Sequence, residues 1–128
     1  MNVYIDADAI VASEKGDFDL VAWLEERPDD IAILPPTVWQ QLLFGAFAWD
    51  PARSQKRLRT LSTFGFSVSS FSRRHASRAA QIAADLKREG IGFADCQIAA
   101  SALEDDAELL SFNARHFRRV PGLRLATI

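Results

Sequence analysis

Three short apolar runs constrain this chain most. Val3-Tyr4-Ile5, Ile31-Ala32-Ile33-Leu34 and the Leu109-Leu110 centre of a strand over Glu108-Leu109-Leu110-Ser111 are continuous rather than alternating, and each is bounded by polar or turn residues. Runs of this kind read as strands covered on both faces, as in a parallel sheet. Segments with helical spacing lie between them. Ala7 to Ser13 follows the first strand, and Phe18 to Glu26 precedes the second. Thr37 to Ala48 carries the stripe Val38, Leu42, Gly45 and Trp49, with Gln41 on its inward edge. Pro51 to Phe64 is a further helix, and Phe66 to Ser69 a short alternating strand. Ser72 caps a long helix to Glu89 with an inward stripe of Ala76, Ala79, Ala80, Ala83 and Leu86. Asp95 to Leu103 is helical, Ala114 to Phe117 is a helical turn, and Leu123 to Thr127 is a last strand. Strands alternating with helices predict an α/β domain of three layers, α/β/α, around a central, mostly parallel sheet.

The 128 residues fit a single domain, 1–128, with enough chain for a real core. No apolar run is long enough to cross a bilayer, and no export signal opens the chain. The single Cys96 forms no internal disulfide, so a cytoplasmic setting is expected and Cys96 reads as core. Net charge is −2, unevenly spread. Residues 1–50 hold ten acids and two bases, whereas residues 51–128 hold thirteen bases and seven acids. Such asymmetry fits a charged partner, and equally fits solvated helix faces that have segregated.

Four residues fall where strands end or helices begin: Asp6, Gln41, Asp95 and Asn113, with Asp8 beside the first. In open α/β sheets ligands collect beyond the carboxyl ends of the strands. Carboxylates there suit a hard cation with oxygen ligands and several waters. Each residue also has a plainer role. Asp95 as a first-turn acid favours its helix by roughly 1 kcal/mol. Asn113 suits a turn, and Gln41 suits a core hydrogen bond. Together on one fold, the site is the better account. His75 in Arg73-Arg74-His75 reads as exposed, and His116 as a surface histidine.

Tyr4-Ile5-Asp6-Ala7-Asp8-Ala9-Ile10 resembles the opening motif of PIN-domain nucleases. Gln41-Leu42-Leu43-Phe44-Gly45-Ala46 is similar to their Glu-Leu-x-x-Gly helix, and Gly92-Phe93-Ala94-Asp95-Cys96-Gln97-Ile98-Ala99-Ala100 to their third motif. The stretch from Ser111 to Leu123 resembles the end of VapC-type toxins. The resemblance spans nearly the whole chain, with the motifs in order. It implies a PIN-like domain acting as a ribonuclease, a hydrolase dependent on Mg2+ or Mn2+. It also implies an RNA substrate, a VapB-type antitoxin that silences the enzyme, and a homodimer. By the same resemblance Asp6, Asp95, Asp8 and Asn113 are metal ligands, and Asp6, Gln41, Asp95 and Asn113 form the catalytic set. Ser111 orients the last loop, and Arg115, Arg118 and Arg119 grip RNA phosphates, with solvated faces as the equal alternative.

Gln41 departs from the family, which has glutamate there. Glutamine keeps the shape but loses the charge, so attraction to a divalent cation falls and no general base remains at that position. Weak metal binding and low or absent activity are expected. Two histories fit: a naturally degenerate toxin, or a deliberate Glu→Gln change. Two other functions compete. Asp6-Ala7-Asp8 also resembles the opening of haloacid-dehalogenase phosphatases, but Glu104-Asp105-Asp106 precedes its strand instead of following it. The other is a PIN module that binds RNA or an antitoxin without cleavage.

Overall fold

The computed structural model describes residues 1–128. Five strands form one parallel sheet: β1 (Asn2–Ile5), β2 (Ile31–Leu34), β3 (Ser67–Val68), β4 (Glu108–Leu110) and β5 (Arg124–Leu125), in the order β3-β2-β1-β4-β5. Helices cover both faces: α1 (Ala7–Glu14), α2 (Leu20–Glu25), α3 (Pro36–Ala48), α4 (Pro51–Phe64), α5 (Arg73–Asp85), α6 (Phe93–Glu104) and α7 (Ala114–Phe117). The predicted three-layer α/β/α architecture is the observed one. The strand order reverses at β1, which lies between β2 and β4. The crevice beyond the carboxyl ends of β1 and β4 is therefore the topological switch point where such sheets bind ligands.

The core follows from the apolar runs. Val3, Tyr4 and Ile5 of β1 and Leu109 and Leu110 of β4 are buried, since the strands between which and beside which they lie are covered above and below. Small residues let α6 lie close: Cys96, Ala99, Ala100 and Ala102 are all fully buried. The edge strands β3 and β5 are two residues each, shorter than the apolar patterns Phe66–Ser69 and Leu123–Thr127 predict. Both have partners on one side only, and short edges leave little unpaired backbone to recruit another chain.

Two helix faces and one helix end differ from expectation. In α3 the buried residues are Val38, Leu42 and Ala46, at i, i+4, i+8 spacing. This turns Gln41 outward, so it is exposed and not on the inward edge. In α5 the buried residues are His75, Ala79 and Ile82, whereas Ala76 and Ala80 are exposed. His75 is only 3 % exposed, so its predicted surface position is corrected. It is satisfied on both sides, which is what permits burial. The Ser72 backbone N–H donates to Nδ1 at 3.0 Å, and Nε2 lies 2.9 Å from Asp105 Oδ1. The same Asp105 accepts from the buried Tyr4 hydroxyl and from Arg74. Burial, and then the bond to Asp105, push the Tyr4 hydroxyl up to about 12. Finally, the helix that begins after Ser72 ends at Asp85, and Lys87–Glu89 forms a separate 3-10 turn before Gly90, whose φ is +73°.

A candidate acidic metal centre at the switch point

Asp6 is the residue after β1, and the sheet continues into it: its N–H donates to the Leu110 carbonyl at 2.9 Å. Its carboxylate has two fixed partners. Oδ1 accepts from Ala7 N–H at 2.7 Å, capping α1, and Oδ2 accepts from the Ser111 hydroxyl at 2.7 Å. Ser111 in turn accepts from the Asn113 N–H at 2.9 Å. One hydroxyl thus joins the end of β1 to the loop after β4. Asp8 secures the same loop. Its two carboxylate oxygens lie 3.2 and 3.1 Å from the Phe112 N–H.

Asp95 lies in the first turn of α6, at the same end of the sheet. Its Oδ2 is 3.6 Å from His116 Nδ1, and the Asn113 side-chain amide donates to that nitrogen at 3.1 Å. Asp6, Asp8, Asp95 and Asn113 are therefore gathered around one crevice. His116 belongs to this group, although its sequence position reads as an ordinary surface turn. Its signal was the spacing Asn113-x-x-His116, which places the two side chains on one face of the turn.

Gln41 is exposed on α3, and its side chain makes no hydrogen bond. The nearest link from α3 to α6 is one turn earlier, where the Thr37 hydroxyl donates to Gln97 Oε1 at 2.9 Å. Arg115, Arg118 and Arg119 are exposed around α7 and form no ion pair. Trp23 of α2 is buried and donates to the Thr127 carbonyl. Trp49 is covered by the guanidinium groups of Arg53 and Arg57.

The crevice is electrostatically strained. Burial, and then the neighbouring charge of Asp8, push the Asp6 carboxyl up to about 6, and Asp95 adds to this. Burial raises Asp8 as well, against the hydrogen bonds from Phe112 and Ser111. A cation relieves such crowding. No three acidic, histidine or cysteine side chains converge tightly enough to cage an ion alone. The oxygens of Asp6, Asp8 and Asp95 are hard donors of the kind a divalent cation takes.

Comparison with known proteins assigns the scaffold that carries this crevice. The PIN domain family model matches residues 3–123. The chain belongs to the PIN domain family. The match takes in Asp6 at one end and Asn113 near the other, so the whole crevice lies within the PIN domain. Ribonuclease VapC of Rickettsia bellii is 29% identical over 136 aligned residues, covering 100% of this chain and 97% of the relative. The structure of VapBC2 from Rickettsia felis bound to a DNA fragment from its promoter superimposes with a TM-score of 0.86 at 20% identity, covering 98% of both chains. A toxin-antitoxin complex from Klebsiella pneumoniae gives 0.74 at 22% identity, covering 94% of both. These two structures share the PIN fold seen here. No helix of the protein is long and apolar enough to cross a membrane.

Proposed function

We propose that this PIN domain is a divalent-metal-dependent endoribonuclease of the VapC toxin type, held inactive by a VapB-type antitoxin. The observation that carries the reading is the crevice at the switch point, where Asp6, Asp8 and Asp95 crowd together despite the electrostatic cost. Similarity to a ribonuclease across the full chain supports the same reading. Asp6 and Asp95 would hold Mg2+ or Mn2+, with Asn113 as a neutral oxygen ligand and Asp8 nearby. When bound, the ion would polarise a phosphodiester and acidify an attacking water. The protein's own share is orientation. Ser111 fixes the Asp6 carboxylate, Asp8 fixes the Phe112 backbone, and His116 stands between Asn113 and Asp95. Arg115, Arg118 and Arg119 would hold RNA phosphates.

Antitoxin binding is supported by similarity to VapB–VapC assemblies and by a groove of about 670 Å³ between α1, α2 and α4. Its walls are apolar at Ile10, Val21 and Phe64 and basic at Lys15, Arg53 and Lys56, which suits an amphipathic acidic segment. The exposed Phe44 and Phe47 on α3 offer a face to a second copy.

The uncharged Gln41, where the family carries glutamate, favours a second reading, a PIN module that binds without cutting. Cleavage of a fluorogenic RNA separates the two. The expected result is metal-dependent activity, blocked by EDTA and by Asp6→Asn, and increased in Gln41→Glu. A folded protein silent in both forms across a range of RNAs would leave the binding module.

A further inference from the structure

The exposed face of α5 carries a cluster that neither the core nor the crevice uses. Arg73, Arg74, Ser77, Arg78 and Gln81 of α5 and Glu104, the last residue of α6, line an open cleft of about 560 Å³ with no apolar residue in its walls. The α5 members lie on the side of the helix away from the buried His75, Ala79 and Ile82. Three arginines line the cleft against one glutamate. Arg78 Nε and Nη2 lie 3.2 and 3.0 Å from Glu104 Oε2, and Arg74 donates to the Glu104 carbonyl at 2.8 Å and to Asp105 at 2.7 Å. These bonds fix the direction of both guanidinium groups and leave donors over, since each guanidinium has five. Arg73 is exposed and forms no ion pair, and the exposed Ser77 hydroxyl makes no hydrogen bond.

The cluster stands at a definite remove from the crevice. Asp95 is in the first turn of α6 and Glu104 is its last residue, which at about 1.5 Å per residue puts them about 14 Å apart along the helix. At the other end of α5, Lys87 and Arg88 occupy the 3-10 turn that leads back to the start of α6, and they too form no ion pair. The cations thus run along α5 toward the end of α6 that carries Asp95. Charges set out in a line, with side-chain donors between them, suit a linear polyanion better than a single small ion. Arginine forks hold phosphate oxygens in pairs, and this cleft is polar throughout.

We infer that this face of α5 is a second RNA contact, holding backbone phosphates of the substrate at a distance from the bond that lies in the Asp6–Asp95 crevice. This rests on the ribonuclease reading above. Contacts to phosphate position a nucleic acid without reading its sequence, so the cleft adds affinity and register for a long RNA, not base preference.

The test follows binding of a fluorescein-labelled polyuridylate strand by anisotropy, in EDTA and over a series of salt concentrations. Arg73→Ala, Arg78→Ala, the double alanine variant and Arg73→Lys are compared with Arg59→Ala, an equal loss of exposed charge on α4, each checked for folding by thermal melting. Each alanine change on α5 should weaken binding roughly fivefold and reduce the slope of log affinity against log salt by about 0.7, the value for one phosphate of a single strand. The double variant should show about twice that reduction. Arg73→Lys should keep the slope, and Arg59→Ala should bind like the parent. Equal effects of Arg59→Ala and the α5 variants would assign the loss to net charge, and α5 variants that bind like the parent would remove the contact. Inorganic phosphate that displaces the strand as well, phosphate for phosphate, would make the cleft a site for a free anion. Polyglutamate that binds more tightly than RNA and is lost in the same variants would assign it to an acidic protein. Each of these results overturns the inference and, because the parent still binds RNA, leaves the ribonuclease reading intact. Failure of the parent to bind or cleave any RNA would overturn both.

Discussion

The guanidinium of Arg57 occupies the space where a side chain on Gly45 would begin. A Cβ at Gly45 would lie 2.6 Å from Arg57 Nη1. Arg57 is 3% exposed, forks onto the Glu14 carboxylate, donates to the Leu42 carbonyl at 3.3 Å and stacks on Trp49. It ties α4 to α1, which Asp6 caps, and to α3, which carries Gln41. The glycine of the Gln41-Leu42-Leu43-Phe44-Gly45 motif thus has a packing role distinct from the crevice.

Gly45→Ala is therefore expected to destabilise the protein by about 2–4 kcal/mol, because the arginine must leave its partners or the helices must part. Urea denaturation measures the loss. In an Arg57→Met background the same change should cost far less, and an additive double-mutant cycle would refute the contact as the cause.

Ser111→Ala removes the hydroxyl that donates to Asp6 and accepts from Asn113. A cost of about 1–3 kcal/mol is expected from the buried carboxylate oxygen left without its donor. Manganese affinity, followed by titration, should fall by roughly 10–100-fold, the range for losing a residue that orients a ligand. Ser111→Thr, which keeps the hydroxyl, should recover most of the loss.

The Asp6 carboxyl sets a pH dependence of defined sign. Its folded value of about 6 lies above the ordinary 3.8, so the folded state binds the extra proton. Stability of the metal-free protein is thus greatest below 3.8 as far as Asp6 is concerned and declines as pH rises through about 6. Metal affinity should run the opposite way, rising through the same window as the proton leaves. Thermal melts across pH, with and without manganese, test both, and Asp6→Asn should flatten each curve.

Asp105 works in the other direction. Burial alone would raise it, but hydrogen bonds from Tyr4, His75 and Arg74 hold it below the usual carboxylate value. Its contribution is present above that value and lost only in more acidic solution, outside the Asp6 window. His75→Ala should cost about 2 kcal/mol or more, since it strips a buried donor from Asp105 and an acceptor from Ser72. RNA cleavage per folded molecule should be unchanged, because the network touches no crevice residue.

Much of the crevice was legible because its residues sit at element boundaries. Asp6 ends an apolar run, Asp95 opens an alanine-rich helix, and Asn113 follows β4. Boundaries show in composition, and parallel strands bring their ends together. Azimuth around a helix was less legible. Gln41 and Leu42 differ by one position, and the stripe chosen from Val38, Leu42, Gly45 and Trp49 leaned the wrong way by about a third of a turn. The observed stripe ends on Ala46, because Gly45 is given over to Arg57. His75 and Arg57 escaped because a charged or polar residue is buried only when distant partners satisfy it, and Asp105 and Glu14 lie 30 and 43 residues away. Sequence patterning cannot register such pairings. His116 reads as an ordinary turn residue until α6 is placed beside it.

The bond from Ser111 to Asp6 spans 105 residues. During translation β1 leaves the ribosome first and has no neighbour on its β4 side until residues 108–111 follow. A chain cut short between Asp95 and Glu108 keeps Asp6 and Asp95 but loses the hydroxyl, the asparagine and the strand that set them against each other. If the crevice is the source of toxicity, unfinished chains are harmless by construction, and premature stop codons anywhere upstream abolish it even when most of the helices have been made.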